Sequence, residues 1–301
     1  MNKLLSIVKY KLRYGFTVEW FNFFYVVFGK KQKIIPHVIS IEDTINKIIK
    51  EKCSVSRFGD GEMLLIGKTS IRFQKYSDNL SLRLKEVLSS ENKNHLVCVS
   101  DVFNNLYRYN RKARRFWRSH FYLFGHLWDE YLSVGRTYYN TFMTRPYMDF
   151  KTKKNTAIWF DLLKKIWNDR DVVFIEGEKS RLGVGNTLFD NAASISRILC
   201  PATNAFERYD EIFQKAREQK KDVLFLIALG PAATVLSYDL YKDGFQAVDV
   251  GHVDIEYEWY RMKAKRKVRI PSKYVNEAPN GNIVTNEISD NYNQQVLCRI
   301  C

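Results

Sequence analysis

The run Val223-Leu-Phe-Leu-Ile-Ala-Leu229 contains no polar side chain and stops at Gly230-Pro231. A short segment that is apolar on both faces reads as a strand covered on both sides, the condition of a parallel sheet. Similar runs recur at residues 53–58, 95–100, 171–175, 198–200 and 245–250. Between them lie stretches with helical spacing: Ile41, Ile45, Ile48 and Ile49, then residues 80–88, 102–135, a stretch from about Thr187, 205–219 behind Asn204 as N-cap, and 232–242 ending before Gly244. Alternation of this kind predicts an α/β fold, a mostly parallel sheet with helices on both faces. Ligands of such sheets bind beyond the carboxyl ends of the strands.

With 301 residues the chain is long enough for a sizeable core, and no repeat or flexible linker interrupts residues 37–260. The division expected is a basic, aromatic N-terminal segment over 1–36, one compact domain over 37–260, and a basic, then polar, C-terminal extension over 261–301. The net charge of +15 sits at those ends: residues 1–36 carry seven basic residues against Glu19, and residues 261–273 carry seven more with no acid. A nearly balanced body argues against nucleic acid and leaves two segments able to meet an anionic surface. Five scattered cysteines without metal spacing predict a reducing, cytoplasmic setting.

Residues 16–28 are apolar and aromatic, but Glu19 and Asn22 interrupt them, and they are short for a spanning helix. Two readings follow. Either this stretch lies in a bilayer interface, peripheral on the inner face of the plasma membrane, or Trp20, Phe24 and Phe28 form a stripe that packs on the protein body or on a second subunit.

Three polar loops follow strands. In Arg57-Phe-Gly-Asp60-Gly-Glu62, two carboxylates in a glycine-flanked turn suit a divalent cation completed by a diphosphate; the plain alternative is a helix cap with an acidic first turn. In Glu176-Gly-Glu-Lys179-Ser-Arg181-Leu-Gly183-Val-Gly185-Asn186, two glycines and two cations suit anionic oxygens, although the pattern is neither a Walker loop nor a dinucleotide fingerprint. In Asp249-Val-Gly-His252-Val-Asp254-Ile-Glu256-Tyr-Glu258-Trp259, acidic and apolar residues alternate. That is either a half-exposed strand or a source of a general base or metal ligand. The basic run from Arg108 to Arg118 is a solvated helix face or a site for a phosphate-bearing, lipid-linked acceptor.

These segments, with Phe73-Gln74, Arg145-Pro-Tyr147 and Ala228-Leu-Gly-Pro231, resemble in order the GT-D type glycosyltransferases, formerly domain of unknown function 1792, over roughly residues 40–260. The resemblance implies a Rossmann-like fold and a metal-dependent transferase that moves a hexose from a UDP-sugar to a bacterial surface glycan, glycolipid or glycoprotein acceptor, with inversion. It places Mn2+, or Mg2+, on Asp60 and Glu62. It places the donor near Arg57, Lys179, Arg181 and Asn186, and the acceptor-activating base at Glu258 or His252. One departure is visible, since the family pattern has Asp after the asparagine and this chain has Thr187. The competing reading is a non-catalytic Rossmann-like binding protein that contacts membrane or nucleic acid through its basic ends. The oligomeric state stays open.

Overall fold

The computed structural model describes residues 18–29, 33–285 and 290–300. In chain order the elements are β1 (His37–Val38), α1 (Ile41–Glu51), β2 (Ser54–Phe58), α2 (Asp60–Ile66), α3 (Asp78–Ser89), β3 (His95–Val99), α4 (Arg111–Tyr131) and β4 (Thr137–Asn140). The second half adds α5 (Thr156–Lys164), β5 (Asp171–Gly177), β6 (Ser194–Cys200), α6 (Tyr209–Arg217), β7 (Leu224–Ala228), α7 (Pro231–Lys242), β8 (Gln246–Asp249), α8 (Val253–Arg261), α9 (Asp290–Gln294) and β9 (Val296–Arg299). Nine strands form one sheet in the order β1-β4-β3-β2-β8-β7-β5-β6-β9, and every pairing is parallel.

Both faces are covered, as the apolar strands require. Val172 and Phe174 of β5, with Leu224 and Leu226 of β7, enter one core cluster; their alternate neighbours Val173, Ile175, Phe225 and Ile227 enter another. On one side of β2 the order runs to β3 and β4, and on the other to β8 and β7. The crevice between β2 and β8 is therefore where strand order switches, the place where open α/β sheets hold ligands.

Several expectations are corrected by the structure. No helix begins at Thr187: residues 178–193 form an irregular loop, in which Asn186 Oδ1 accepts from Leu188 N and Trp167 Nε1 donates to Leu188 O. Asn204 sits at φ 54° without capping a helix, and its Oδ1 accepts from Lys75 N. Residues 253–261 are a buried helix rather than a half-exposed strand. The helix expected from residue 102 starts at Arg111, where Asn110 accepts from Ala113 N.

Residues 18–28 are helical and lean on α4. Phe21 and Phe24 stack on Tyr122 with ring centroids 5.8 and 5.7 Å apart, and Ser119 Oγ donates to Val18 O at 2.8 Å. The expected stripe is split, with Phe24 half-buried and Trp20 and Phe28 exposed. Lys3, Lys9, Lys11, Arg13, Lys30 and Lys31 lie outside the described residues. No helix among the described residues is long and apolar enough to cross a membrane. Cys53, Cys98, Cys200 and Cys298 are free thiols.

Candidate active site

A cleft of about 940 Å3 opens over the carboxyl ends of the strands. Its wall takes Gly59, Asp60 and Glu62 from the end of β2, Gly251 and His252 from the end of β8, Gly230 from the end of β7, and Ser180 and Leu182 from the loop after β5. Nine basic side chains line it against five acidic ones. Lys265, Arg266 and Lys267 are among the nine and Lys273 is buried, so part of the basic run over 261–273 belongs to the cleft and the core, while Arg261 and Lys263 are exposed outside the lining.

The switch point is fastened by one ion pair. Arg57 Nη2 meets Asp249 Oδ1 at 2.6 Å, its Nε donates to Asp249 O at 2.8 Å, and its Nη1 donates to Thr144 Oγ1 at 2.8 Å. Arg57 lines the cleft but spends these donors on the protein itself. Gly251, at φ +44°, is obligatory here, because a Cβ would lie 1.9 Å from Arg57 Nη2. Burial pushes the Asp249 carboxyl up, and Arg57 opposes that shift.

Asp60 and Glu62 stand beside this pair, and the Arg145 and Lys267 charges act on Asp60 only from a distance. Neither is in a salt bridge among the described residues, and both line the cleft. Desolvation raises Glu62 to about 7, against the lowering effect of Gly59 N, which donates to its Oε2 at 2.8 Å; Asp249 and Asp60 add to the rise. Desolvation also raises Asp60, with Arg145 pulling the other way. Oxygen-only donors with uncompensated charge are the ligand set that a hard divalent cation takes. No cluster of three or more metal-ligating side chains occurs among the described residues, so the remaining ligands of such an ion would come from substrate and water. The donor chemistry of the pair, two carboxylates, is of the kind a hard divalent cation takes.

His252 lies on the opposite strand end of the crevice. Its Nε2 is 2.9 Å from Asn276 Oδ1, an acceptor only, so Nε2 carries the proton; its Nδ1 is 3.3 Å from Arg145 Nη2, a donor only. Desolvation, followed by the Arg145 charge, lowers His252 to about 4, which leaves it neutral at physiological pH. Arg145 and Lys267 each pair with Glu277. Against the raising effect of burial, these two cations hold Glu277 well below the ordinary carboxylate range.

The other expected site residues lie outside the lining of the cleft, although Asp254, to which Asn186 donates, is part of it. Asp254 and Glu258, one turn apart on α8, share Lys273, whose Nζ is 2.6 Å from Asp254 Oδ2 and 3.1 Å from Glu258 Oε1; the lysine is 0 % exposed. Asn186 Nδ2 donates to both carboxylates at 2.7 Å, and Gly183 N donates to Asp254 Oδ1 at 2.9 Å. Arg181 is buried, with Nη1 donating to Ser272 O and Thr285 O. Lys179 is exposed, and its carbonyl accepts from Tyr274 N. The structure thus brings Arg57, Asp60, Glu62 and His252 together in the cleft. Lys179, Arg181, Asn186 and Glu258 are not part of its lining. In the loop after β5, the N–H groups of Leu182 and Gly183 are taken by Glu176 and Asp254 rather than left open for phosphate.

Sequence reasoning missed Lys273, Glu277 and Asn276, which sit in or next to a basic run that looks solvated. Their partners are Asp254 and Glu258 for Lys273, His252 for Asn276, and Arg145 and Lys267 for Glu277, pairings that the local sequence pattern does not single out.

A family model described as Glycosyltransferase GT-D fold matches residues 55–278. The chain is 44% identical over 243 residues to a probable glycosyl transferase Gly of Streptococcus gordonii, covering 80% of this chain and 35% of that protein. To the glycosyltransferase GlyD of Streptococcus pneumoniae serotype 4 it is 39% identical over 269 residues, covering 88% of this chain and 33% of that protein. It therefore spans about a third of the length of these curated relatives. A solved structure described as a new glycosyltransferase (DUF1792) from Streptococcus sanguinis superposes with a TM-score of 0.85 at 38% identity, covering 89% of this chain and 100% of that one. A second, of the domain of unknown function 1792 with a distinct glycosyltransferase fold, gives 0.85 at 40%, covering 88% and 96%.

Proposed function

The chain belongs to the GT-D glycosyltransferase family, and from that premise we propose that it transfers a hexose from a UDP-sugar to an acceptor hydroxyl at the β2–β8 crevice, with Asp60 and Glu62 holding Mn2+ or Mg2+. One observation carries the reading: a carboxylate pair that no salt bridge among the described residues neutralises, on the wall of a predominantly basic cleft. A divalent cation bound there would neutralise charge growing on the diphosphate as it leaves. The excess of basic side chains attracts an anionic donor before chemistry begins.

His252 is the proton acceptor in this reading. The acceptor oxygen bonds to the anomeric carbon, the bond from that carbon to the diphosphate oxygen breaks, and the hydroxyl proton passes to Nδ1. A direct displacement of this kind inverts the anomeric centre. The Nδ1 contact with Arg145, at 3.3 Å, is long for a hydrogen bond and gives way to a hydroxyl. Negative charge on the bound donor offsets Arg145 and lifts His252 from about 4 toward working pH. Glu258, with both Lys273 and Asn186 on its Oε1, is a positioning residue that helps shape the loop after β5. The acceptor in this reading is a bacterial surface glycan, glycolipid or glycoprotein.

The test is UDP release from a panel of UDP-sugars with Mn2+ and with chelator. Metal-dependent turnover supports the transferase; none with any UDP-sugar and acceptor leaves the non-catalytic binding reading. His252→Gln is expected to lower kcat about a hundredfold with UDP affinity unchanged, and Glu258→Gln less than about tenfold. The reverse order returns the base to Glu258.

A further inference from the structure

We propose that the helical residues 18–28 and the exposed side of α4 together form a docking surface for an anionic lipid bilayer. Four guanidinium side chains, Arg111, Arg114, Arg115 and Arg118, line a hollow of about 220 Å3 with Asn22 as its fifth wall. Asn22 is on the 18–28 helix, so the hollow exists only because that helix lies on α4. Among the described residues only Arg115 is in a salt bridge, with Glu19; Arg111, Arg114 and Arg118 are in none. Clustered guanidinium groups of this kind suit a phosphate, which Arg recognises through paired N–H donors.

The same short helix carries the apolar half of the surface. Trp20, Phe23, Val27 and Phe28 are 46, 55, 54 and 68 % exposed. Aromatic and aliphatic side chains left in water beside a cationic hollow complement a lipid headgroup layer: phosphate above, acyl boundary below. A folded nucleic acid offers the phosphate but no apolar layer, and an acidic protein surface offers neither depth nor phosphate. The sequence before residue 18 has four further basic residues and no acid, which adds to the same attraction. The inference stands apart from the glycosyl-transfer reading, because no cleft-lining residue is used in it. Its bearing on function is one of placement: Lys112, Ala113, Phe116 and Trp117 of the same α4 turns line the cleft, so docking brings the cleft to the membrane surface.

The experiment is sedimentation of the full chain with phosphatidylcholine vesicles and with vesicles holding phosphatidylglycerol in addition, at low and at high salt. The expected result is binding to the anionic vesicles only, weakened by salt. Arg114→Gln with Arg118→Gln is expected to cost on the order of twentyfold in partitioning, about fivefold per charge. Phe23→Ser, Val27→Ser and Phe28→Ser together are expected to cost about tenfold or more. Unchanged melting temperature in both variants shows that the fold is intact. Equal binding to neutral vesicles, no loss in either variant, or a self-associated species in sedimentation velocity that the Phe23, Val27 and Phe28 changes dissolve while vesicle binding persists would each overturn the proposal.

Discussion

Two acidic pairs, one just after β2 and one on α8, have opposite fates. Asp254 and Glu258 meet a buried lysine, an asparagine amide and a backbone N–H, so their charge is matched inside the protein. Asp60 and Glu62 form no salt bridge among the described residues, and desolvation raises both, against the pull of Arg145 and Lys267 on Asp60. The first pair is built to be finished by the fold. The second is left for something that arrives, and this difference, more than the acidic residue types, separates a structural cluster from a binding one.

The contrast breaks most sharply at the lysine. Lys273→Met strands two buried carboxylates, and unfolding in denaturant is expected to show a loss of about 3–5 kcal/mol. Adding Asp254→Asn and Glu258→Gln should return a large part of it; no recovery would mean that the lysine matters for packing rather than charge. Next in size, Asp60→Asn or Glu62→Gln is expected to reduce transfer about a hundredfold or more, with circular dichroism unchanged. Smaller still is a pH effect. Because Glu62 ionises near 7, protons compete with the cation below that value, and Mn2+ affinity in the presence of UDP, measured by calorimetry, should rise about tenfold from pH 6 to pH 8. The mildest prediction concerns stability. The folded-state value of Glu62 lies above its ordinary one, so ionising it costs stability as pH rises through about 7. Glu62→Gln keeps an acceptor for Gly59 N and should therefore raise the melting temperature at pH 8 by about 2–4 °C, with no gain at pH 4.

Much of the sheet was legible because burial on both faces leaves a signature in single segments. The runs at 95–100, 223–229 and 245–250 contain β3, β7 and β8 to within a residue or two at each end. What was not legible depends on partners far away in the chain. β4 and α5 follow a long aromatic helix and carry no distinctive period, and β9 is a strand because β6 offers an open edge. The alternation in 253–259 looked like a strand because carboxylates are assumed to face water. Here Asp254 and Glu258 reach Lys273, and Glu256 accepts the Tyr147 and Met148 N–H groups, so a buried helix can carry all three. The cleft carboxylates were readable from one short turn, as was His252. The roles expected of Arg181 and Asn186 were not, since Ser272, Thr285, Asp254 and Glu258 claim their side chains.

The outermost strand has a temporal consequence. β6 pairs with β5 on one side and with β9 on the other, and β9 is the last strand in chain order. During synthesis on the ribosome, the hydrogen-bonding rim of β6 therefore waits, unpaired, until residue 299 has emerged, while the strands around the crevice can already assemble. That interval is when a nascent chain of this fold is most exposed to pairing with a neighbour, and a chaperone that shields strand rims would act on it there.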